Sequence, residues 1–355
     1  MPEIVSPCGE KYGKILGAMW KKILLILGSL LLAVVVLGGA GIAWLFLRKP
    51  AMAPASSIKV SMAPERIARG KYVFASVADC GGCHSQRDFS RVGGPEVESG
   101  RGRGNVMSDL LKGLPGQVVA PNLTPDPETG IGTWTDGEKI RAIRDGVDKD
   151  GRALFPMMPY QSYRQFSDED VQALVAFLDS LPPVHNPLPQ TRLIFPVSVL
   201  IKSAPQPAGS VAPVDRTDRK KFGEYLAAVG GCADCHTPVD EKNNPLPGKL
   251  LAGGMVFETP FGKVVSANLT PDTDTGIGKW SEEFFLKKFY EYKEYATGGP
   301  PLSPGPQSFT LMPWLNFAKR EPEELSAIYA YLRTAPAVRN PVDTHPGFPK
   351  APAVP

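Results

Sequence analysis

Four of the five cysteines and two of the four histidines in this 355-residue chain fall into two copies of one pattern. Cys80-Gly-Gly-Cys83-His84 is the first, and Cys232-Ala-Asp-Cys235-His236 is the second. Two thiols at this spacing lie about one helical turn apart. Each can bond a vinyl group of one porphyrin, and the adjacent imidazole is then held beneath the iron; this is the attachment signal of a c-type haem. Three other uses of the cysteines compete with it. A redox dithiol sits in a βαβ setting, and no parallel-strand pattern surrounds either motif. Zinc needs two further ligands per site, and His185 and His345 are the only spare imidazoles. A structural disulfide leaves the histidines unexplained. The pattern predicts two covalently bound haem c groups.

An iron held by one histidine needs a sixth ligand from elsewhere, and methionine there raises the reduction potential. The first half offers Met107, Met157, Met158 and His185. An internal repeat arbitrates between them. Residues 122–134 read NLTPDPETGIGTW and residues 268–280 read NLTPDTDTGIGKW, with ten of thirteen positions identical. Met158-Pro159-Tyr160 matches Met312-Pro313-Trp314, whereas Met157 aligns with Leu311, which cannot bind iron, and His185 aligns with Arg339. Met158 and Met312 are therefore the expected axial ligands beside His84 and His236. Met255 reads as core filler.

The elements that must position these residues follow from the same repeat. Each half closes with a helical apolar pattern, Val171–Leu178 and Leu325–Leu332. Ser167 suits the cap of the first, with Asp168 to Asp170 in its opening turn, and Pro322 suits the start of the second. Pro (37) and Gly (36) are abundant, so long turn-rich loops are expected rather than a helical bundle or a Rossmann sheet. Pro-rich residues 182–214 enclose the apolar run 193–201, too short to span a bilayer and expected to pack between domains or near a membrane surface.

Ile23–Leu47 carries no charge over 25 residues, with Lys21 and Lys22 before it and Arg48 and Lys49 after it. That exceeds the roughly 20 residues a helix needs to cross a bilayer and is about twice the apolar core of a cleaved signal, so an anchor is expected. Residues 1–60 carry a charge of +5, while 65–180 and 215–340 carry −3 and −1. The basic excess lies beside the apolar segment and not on a folded face, which argues against nucleic-acid binding. The expected layout is 1–22 cytoplasmic, 23–47 transmembrane, 48–63 linker, 64–185 first domain, 186–214 linker, 215–342 second domain and 343–355 tail. Cys8, ahead of the anchor, reads as an incidental reduced thiol.

Taken together, C-x-x-C-H, N-L-T-P-D-x-x-T-G-I-G-x-W and M-P-[YW] resemble class I cytochrome c domains. In particular they resemble the membrane-bound bacterial cytochrome c subunits that accompany alcohol, aldehyde or gluconate dehydrogenases. The resemblance covers about residues 64–340. It implies a mainly α fold of two tandem domains, each with a loop-wrapped haem and crossed N- and C-terminal helices, the crossing permitted near Gly70/Tyr72 and Gly223/Tyr225. It implies that Trp134 and Trp280 lie near the haem propionates. Those dehydrogenase subunits usually carry three haem motifs, and this chain has two. The expected function is single-electron transfer without independent catalysis. The expected partners are a dehydrogenase, quinol oxidiser, cytochrome or terminal oxidase, with the haem domains on the periplasmic side of the bacterial inner membrane. The alternative is a di-haem peroxidase, which needs one iron with an open sixth position; a matched methionine in each half speaks against it.

Overall fold

The computed structural model describes residues 7–241, 244–259, 262–297 and 311–347. Cys8's side chain and residues 348–355 of the expected tail lie outside the described set. The chain forms two compact units, residues 1–49 and 50–355.

The first unit is one helix, α1 (Pro7–Leu47), which starts well before the uncharged run. Its segment Leu16–Leu47 is long and apolar enough to cross a membrane, and its side chains from residue 16 to 47 are exposed within its own unit. Length and composition of this kind suit an anchor or a signal sequence alike.

In the second unit, α2 (Pro64–Tyr72) begins with proline at its first turn and runs on through a π-helical turn, Val73–Val77. The first C-x-x-C-H motif is itself a short helix, α3 (Cys80–His84). Short antiparallel pairings follow: β1 (Asn105–Val106), β2 (Gly116–Gln117) and β3 (Val119–Ala120), with β1 on β3. Helix α4 (Asp136–Asp145) starts in a capping box, in which Thr135 and Glu138 satisfy each other's backbone N–H groups, and ends at Gly146 with φ 76°. After the turn α5 (Tyr160–Tyr163), Ser167 caps α6 (Asp168–Ser180) by accepting from Asp170 N–H at 3.1 Å. The segment between the repeats is structured. Its strand β4 (Arg192–Leu193) pairs with β2, and in α7 (Val197–Leu200) Val199 is buried while Leu200 is exposed.

The second half repeats the plan with α8 (Arg219–Val229), α9 (Cys232–His236), the hairpin β5 (Val256–Thr259) and β6 (Gly262–Val265), α10 (Glu282–Tyr290), α11 (Trp314–Phe317) and α12 (Pro322–Leu332). Within each half the first and last helices pack against one another, α2 on α6 and α8 on α12. The contact is so close that only glycine fits. A Cβ on Gly70 would sit 1.8 Å from the Ala173 carbonyl oxygen, and one on Gly223 would sit 1.9 Å from that of Ala327. These four helices and the π turn bury Phe74, Leu174, Phe177, Leu226, Leu325 and Leu332 in a single apolar cluster that runs through both halves. Burial of this kind stabilises by about 1.5–3 kcal/mol per large side chain.

The halves meet reciprocally. Tyr72 Oη donates to Glu324 Oε2 at 2.6 Å and accepts from Glu321 N–H at 3.0 Å. Tyr225 Oη donates to Asp170 Oδ2 at 2.6 Å and accepts from Ser167 N–H at 3.4 Å. Tyr72 and Tyr225 are repeat equivalents, as are the two acids and the two N-cap residues, so one surface is used twice, as in a two-fold dimer.

Candidate functional site

The motif helices α3 and α9 each start from a left-handed residue, Asp79 (φ 50°) and Gly231 (φ 67°), which turns the chain sharply into the cysteines. Both histidines are buried. The Nδ1–H of His84 donates to the Pro121 carbonyl at 2.8 Å, and that of His236 donates to the Ala267 carbonyl at 2.7 Å. Burial holds both imidazoles below their ordinary pKa, partly offset by these bonds, so each ring is neutral. Donation from Nδ1 leaves the Nε2 lone pair as the metal-binding atom.

Pro121 and Ala267 are absent from the sequence reading, and they explain the repeat. Each immediately precedes the N-L-T-P-D segment. Asn122 is buried and makes four bonds. Its amide donates to Thr129 Oγ1 at 3.1 Å and the Val184 carbonyl at 2.7 Å; its oxygen accepts from Thr124 N–H at 2.9 Å and Oγ1 at 2.8 Å. Asn268 repeats all four with Thr275, Val338 and Thr270. Asp126 and Asp272 each gather the following turn through Oδ1. Gly130 and Gly276 pass so close to Thr124 and Thr270 that a Cβ would lie 2.2 and 2.1 Å from their carbonyl oxygens. The repeated string is thus a knot that ties the segment after the last helix to the residue whose carbonyl accepts from the histidine.

The four motif thiols are free. Burial pushes Cys83 up to about 11 and Cys235 up to about 12, and it raises Cys80 and Cys232 as well. A thiol-exchange catalyst needs the opposite shift. Among the described residues, no group of three or more His, Cys, Asp and Glu side chains gathers as a zinc site would require. A neutral imidazole with its outer nitrogen anchored, two unpaired thiols on the same turn and apolar walls fit a covalently attached haem in each half.

The expected sixth ligands occupy matching turns. Tyr160 N–H bonds the Met158 carbonyl and Trp314 N–H bonds the Met312 carbonyl, each at 2.8 Å. Both methionines are half-buried against the main core with Cys80 or Cys232. Met157 lies elsewhere, with buried Met107, Val118 and Ala120 in a smaller cluster that also holds Cys83. His185 is exposed beside Asp126 and Glu128, and His345 bonds Thr344. Trp134 and Trp280 are half-buried on the main core; Trp280 meets Phe284 edge-on at 5.0 Å and its carbonyl accepts from Tyr329 Oη at 2.7 Å.

Each methionine turn also reaches the motif of the other half. Ser162 Oγ donates to both oxygens of Asp234, at 2.9 and 2.8 Å, and Asn316 donates to Asp79. Burial raises both acids, Asp79 to about 6. Sequence spacing carried no sign of these cross-contacts, because each joins positions more than 70 residues apart.

Residues 67–182 match the cytochrome c family model. The chain is 31% identical to the fructose dehydrogenase cytochrome subunit of Gluconobacter japonicus, over 76% of this chain and 53% of that protein. It is 31% identical to the cytochrome c subunit of a quinone alcohol dehydrogenase from Gluconacetobacter polyoxogenes, over 77% and 56% respectively. It is 28% identical to a diheme cytochrome c-type protein of Cereibacter sphaeroides, covering 86% of that protein. The chain spans about half the length of the two dehydrogenase subunits. With the anchored histidines and free thiols in view, these similarities make the chain a member of the cytochrome c family.

Proposed function

We propose that the chain is a membrane-anchored di-haem cytochrome c that passes single electrons from a respiratory donor to an acceptor cytochrome or oxidase. Its haems attach at Cys80/Cys83 and Cys232/Cys235, with His84–Met158 and His236–Met312 as axial pairs, in two tandem class I domains whose first and last helices cross. The observation that carries the reading is the duplicated anchoring of a neutral imidazole, His84 on Pro121 and His236 on Ala267, in an otherwise apolar, thiol-bearing site.

A haem bound at such a site supplies a one-electron ferric/ferrous couple. The protein's part is positional. The knotted loops fix each imidazole, and so its basicity. Thioether ligation would favour the ferrous state and close the iron to other ligands, which suits a carrier and not a peroxidase. The reciprocal Ser162–Asp234 and Asn316–Asp79 contacts support exchange between the two sites within one chain. Helix α1 supports anchoring, with residues 50–355 on the periplasmic side. The relatives' names support a dehydrogenase as donor, and a quinol oxidiser is the other class that fits. Trp134 and Trp280 are assigned to the propionate side on the resemblance.

Haem content is the test. Detergent-solubilised protein should carry two covalent haems by pyridine haemochrome, and Cys83→Ala should leave one intact site. Haem that leaves on acid–acetone extraction, or release of the protein by an osmotic wash without detergent, would overturn the attachment or the anchor respectively.

A further inference from the structure

The two halves match at almost every site-building position, which makes one mismatch informative. Arg320 follows Met312 by eight residues and is buried, 2% exposed. Phe166 stands at the same distance after Met158 and is also buried. Arg320 Nε donates to the Ser76 carbonyl at 2.8 Å and Nη2 donates to the Val77 carbonyl at 2.9 Å, so the guanidinium is held across the interface by the first half's π turn. Its Cζ lies 4.3 Å from the centroid of the Phe317 ring. Nη1 is buried without a partner. Gly230, two residues before Cys232, leaves room for it; a Cβ there would lie 2.7 Å from Nη2. The charge acts on Cys232, where it works against the desolvation that raises that thiol.

A guanidinium stays protonated in a protein. Buried, it is poorly screened, and its field is stronger than in water. A fixed positive charge beside a haem favours the ferrous state, because reduction lowers the net charge by one and moves no proton. Lys319 acts on Asp79 and Glu96 beside the first motif, but it is exposed and so screened by solvent and salt; the other ionic groups do not cancel the asymmetry. Asp234 beside Cys232 is balanced by Asp79 beside Cys80. Arg87 acts on Cys83, but it is only half-buried and bound to the Gly93 and Gly94 carbonyls. Glu324 also acts on Arg320, but Arg69 Nη1 lies 3.8 Å from Glu324 Oε1 and shares its charge.

We propose that Arg320 is a positioning charge that raises the reduction potential of the haem at Cys232/Cys235 and so makes the second site the electron-accepting member of the pair. This rests on the di-haem reading above.

The test is a spectroelectrochemical titration of the full chain in detergent, with haem content measured on the same sample. Arg320→Gln keeps a donor for a carbonyl but removes the charge. One of the two midpoint potentials should fall by at least a tenfold change in the electron partition between the haems, about 59 mV for one electron, while the other stays. The shift should persist at high salt, since the charge is buried. Arg320→Lys keeps the charge and should hold the wild-type value. A purely structural residue would move both potentials together. Two intact haems with unmoved potentials in Arg320→Gln overturn the proposal, as does an equal fall in Arg320→Lys. If Arg320→Gln does not accumulate with both haems, Arg320→Lys decides alone: a retained potential supports the charge, and a fall refutes it. Wild-type protein with fewer than two covalent haems overturns the di-haem reading and this proposal with it.

Discussion

Asn122→Ala tests the knot that anchors His84. The substitution removes four hydrogen bonds from a side chain that is 2% exposed. Each bond contributes about 1 kcal/mol net, and an orphaned buried group costs about 1–3 kcal/mol. Val184 keeps a second donor in Thr124 Oγ1 at 3.3 Å, so the main orphan is the Thr124 N–H. The expected loss is about 3–4 kcal/mol, at the upper end for a single substitution. At about 1.5–2 °C per kcal/mol for a unit spanning residues 50–355, Tm should fall by roughly 5–8 °C. Asn268→Ala should cost a similar amount, because it makes the same bonds and both halves share one core. There is a redox signature as well. Pro121 precedes Asn122, so loosening the knot weakens the acceptor of His84 Nδ1–H, makes the imidazole a poorer donor to iron and raises that haem's potential. Thermal melts followed by circular dichroism, with a redox titration on the same samples, read both effects. A fall of under about 2 °C in both variants, or an unmoved potential in Asn122→Ala despite lost stability, would refute the reasoning.

Gly70→Ala and Gly223→Ala should each destabilise by about 1–3 kcal/mol or more, since the new methyl meets a backbone carbonyl that cannot rotate away; denaturant melts with unchanged midpoints would sink this. Met158→Ala and Met312→Ala should each open one haem to carbon monoxide and lower its potential, while Met157→Ala should do neither; stoichiometric carbon monoxide binding by the unmutated protein would contradict the closed-carrier reading. Burial raises the Asp170 carboxyl, but its bonds from Arg69 and Tyr225 outweigh that and hold it below the usual range. The stability it contributes is therefore complete above about pH 4 and is lost as pH falls through its native value. Asp170→Asn should flatten the acid limb of a Tm-against-pH curve, and an unchanged limb would show that other carboxylates dominate.

The candidate chemistry could be read in the sequence because it is local. Cys-x-x-Cys-His occupies five consecutive residues, and a helical turn is enough to bring thiols and imidazole together. The repeat then separated Met158 from Met157 by simple register, and the Ser167 cap and Pro322 start were read from backbone hydrogen-bonding rules that act within a turn. The length and apolarity of Ile23–Leu47 likewise needed no fold. Tertiary structure decided what joins distant positions. The role of N-L-T-P-D as a clamp on the histidine's acceptor depends on Val184 and Val338, some 60 to 70 residues away. Tyr72 and Tyr225, expected near a helix crossing, also bond the other half through their ring hydroxyls, a contact that no sequence spacing announces. Nothing in the sequence sets Arg320 apart from the other basic residues of its half. Only the packed interface shows it buried against Ser76 and Val77, since burial is a property of the neighbours that a fold supplies and not of the residue itself.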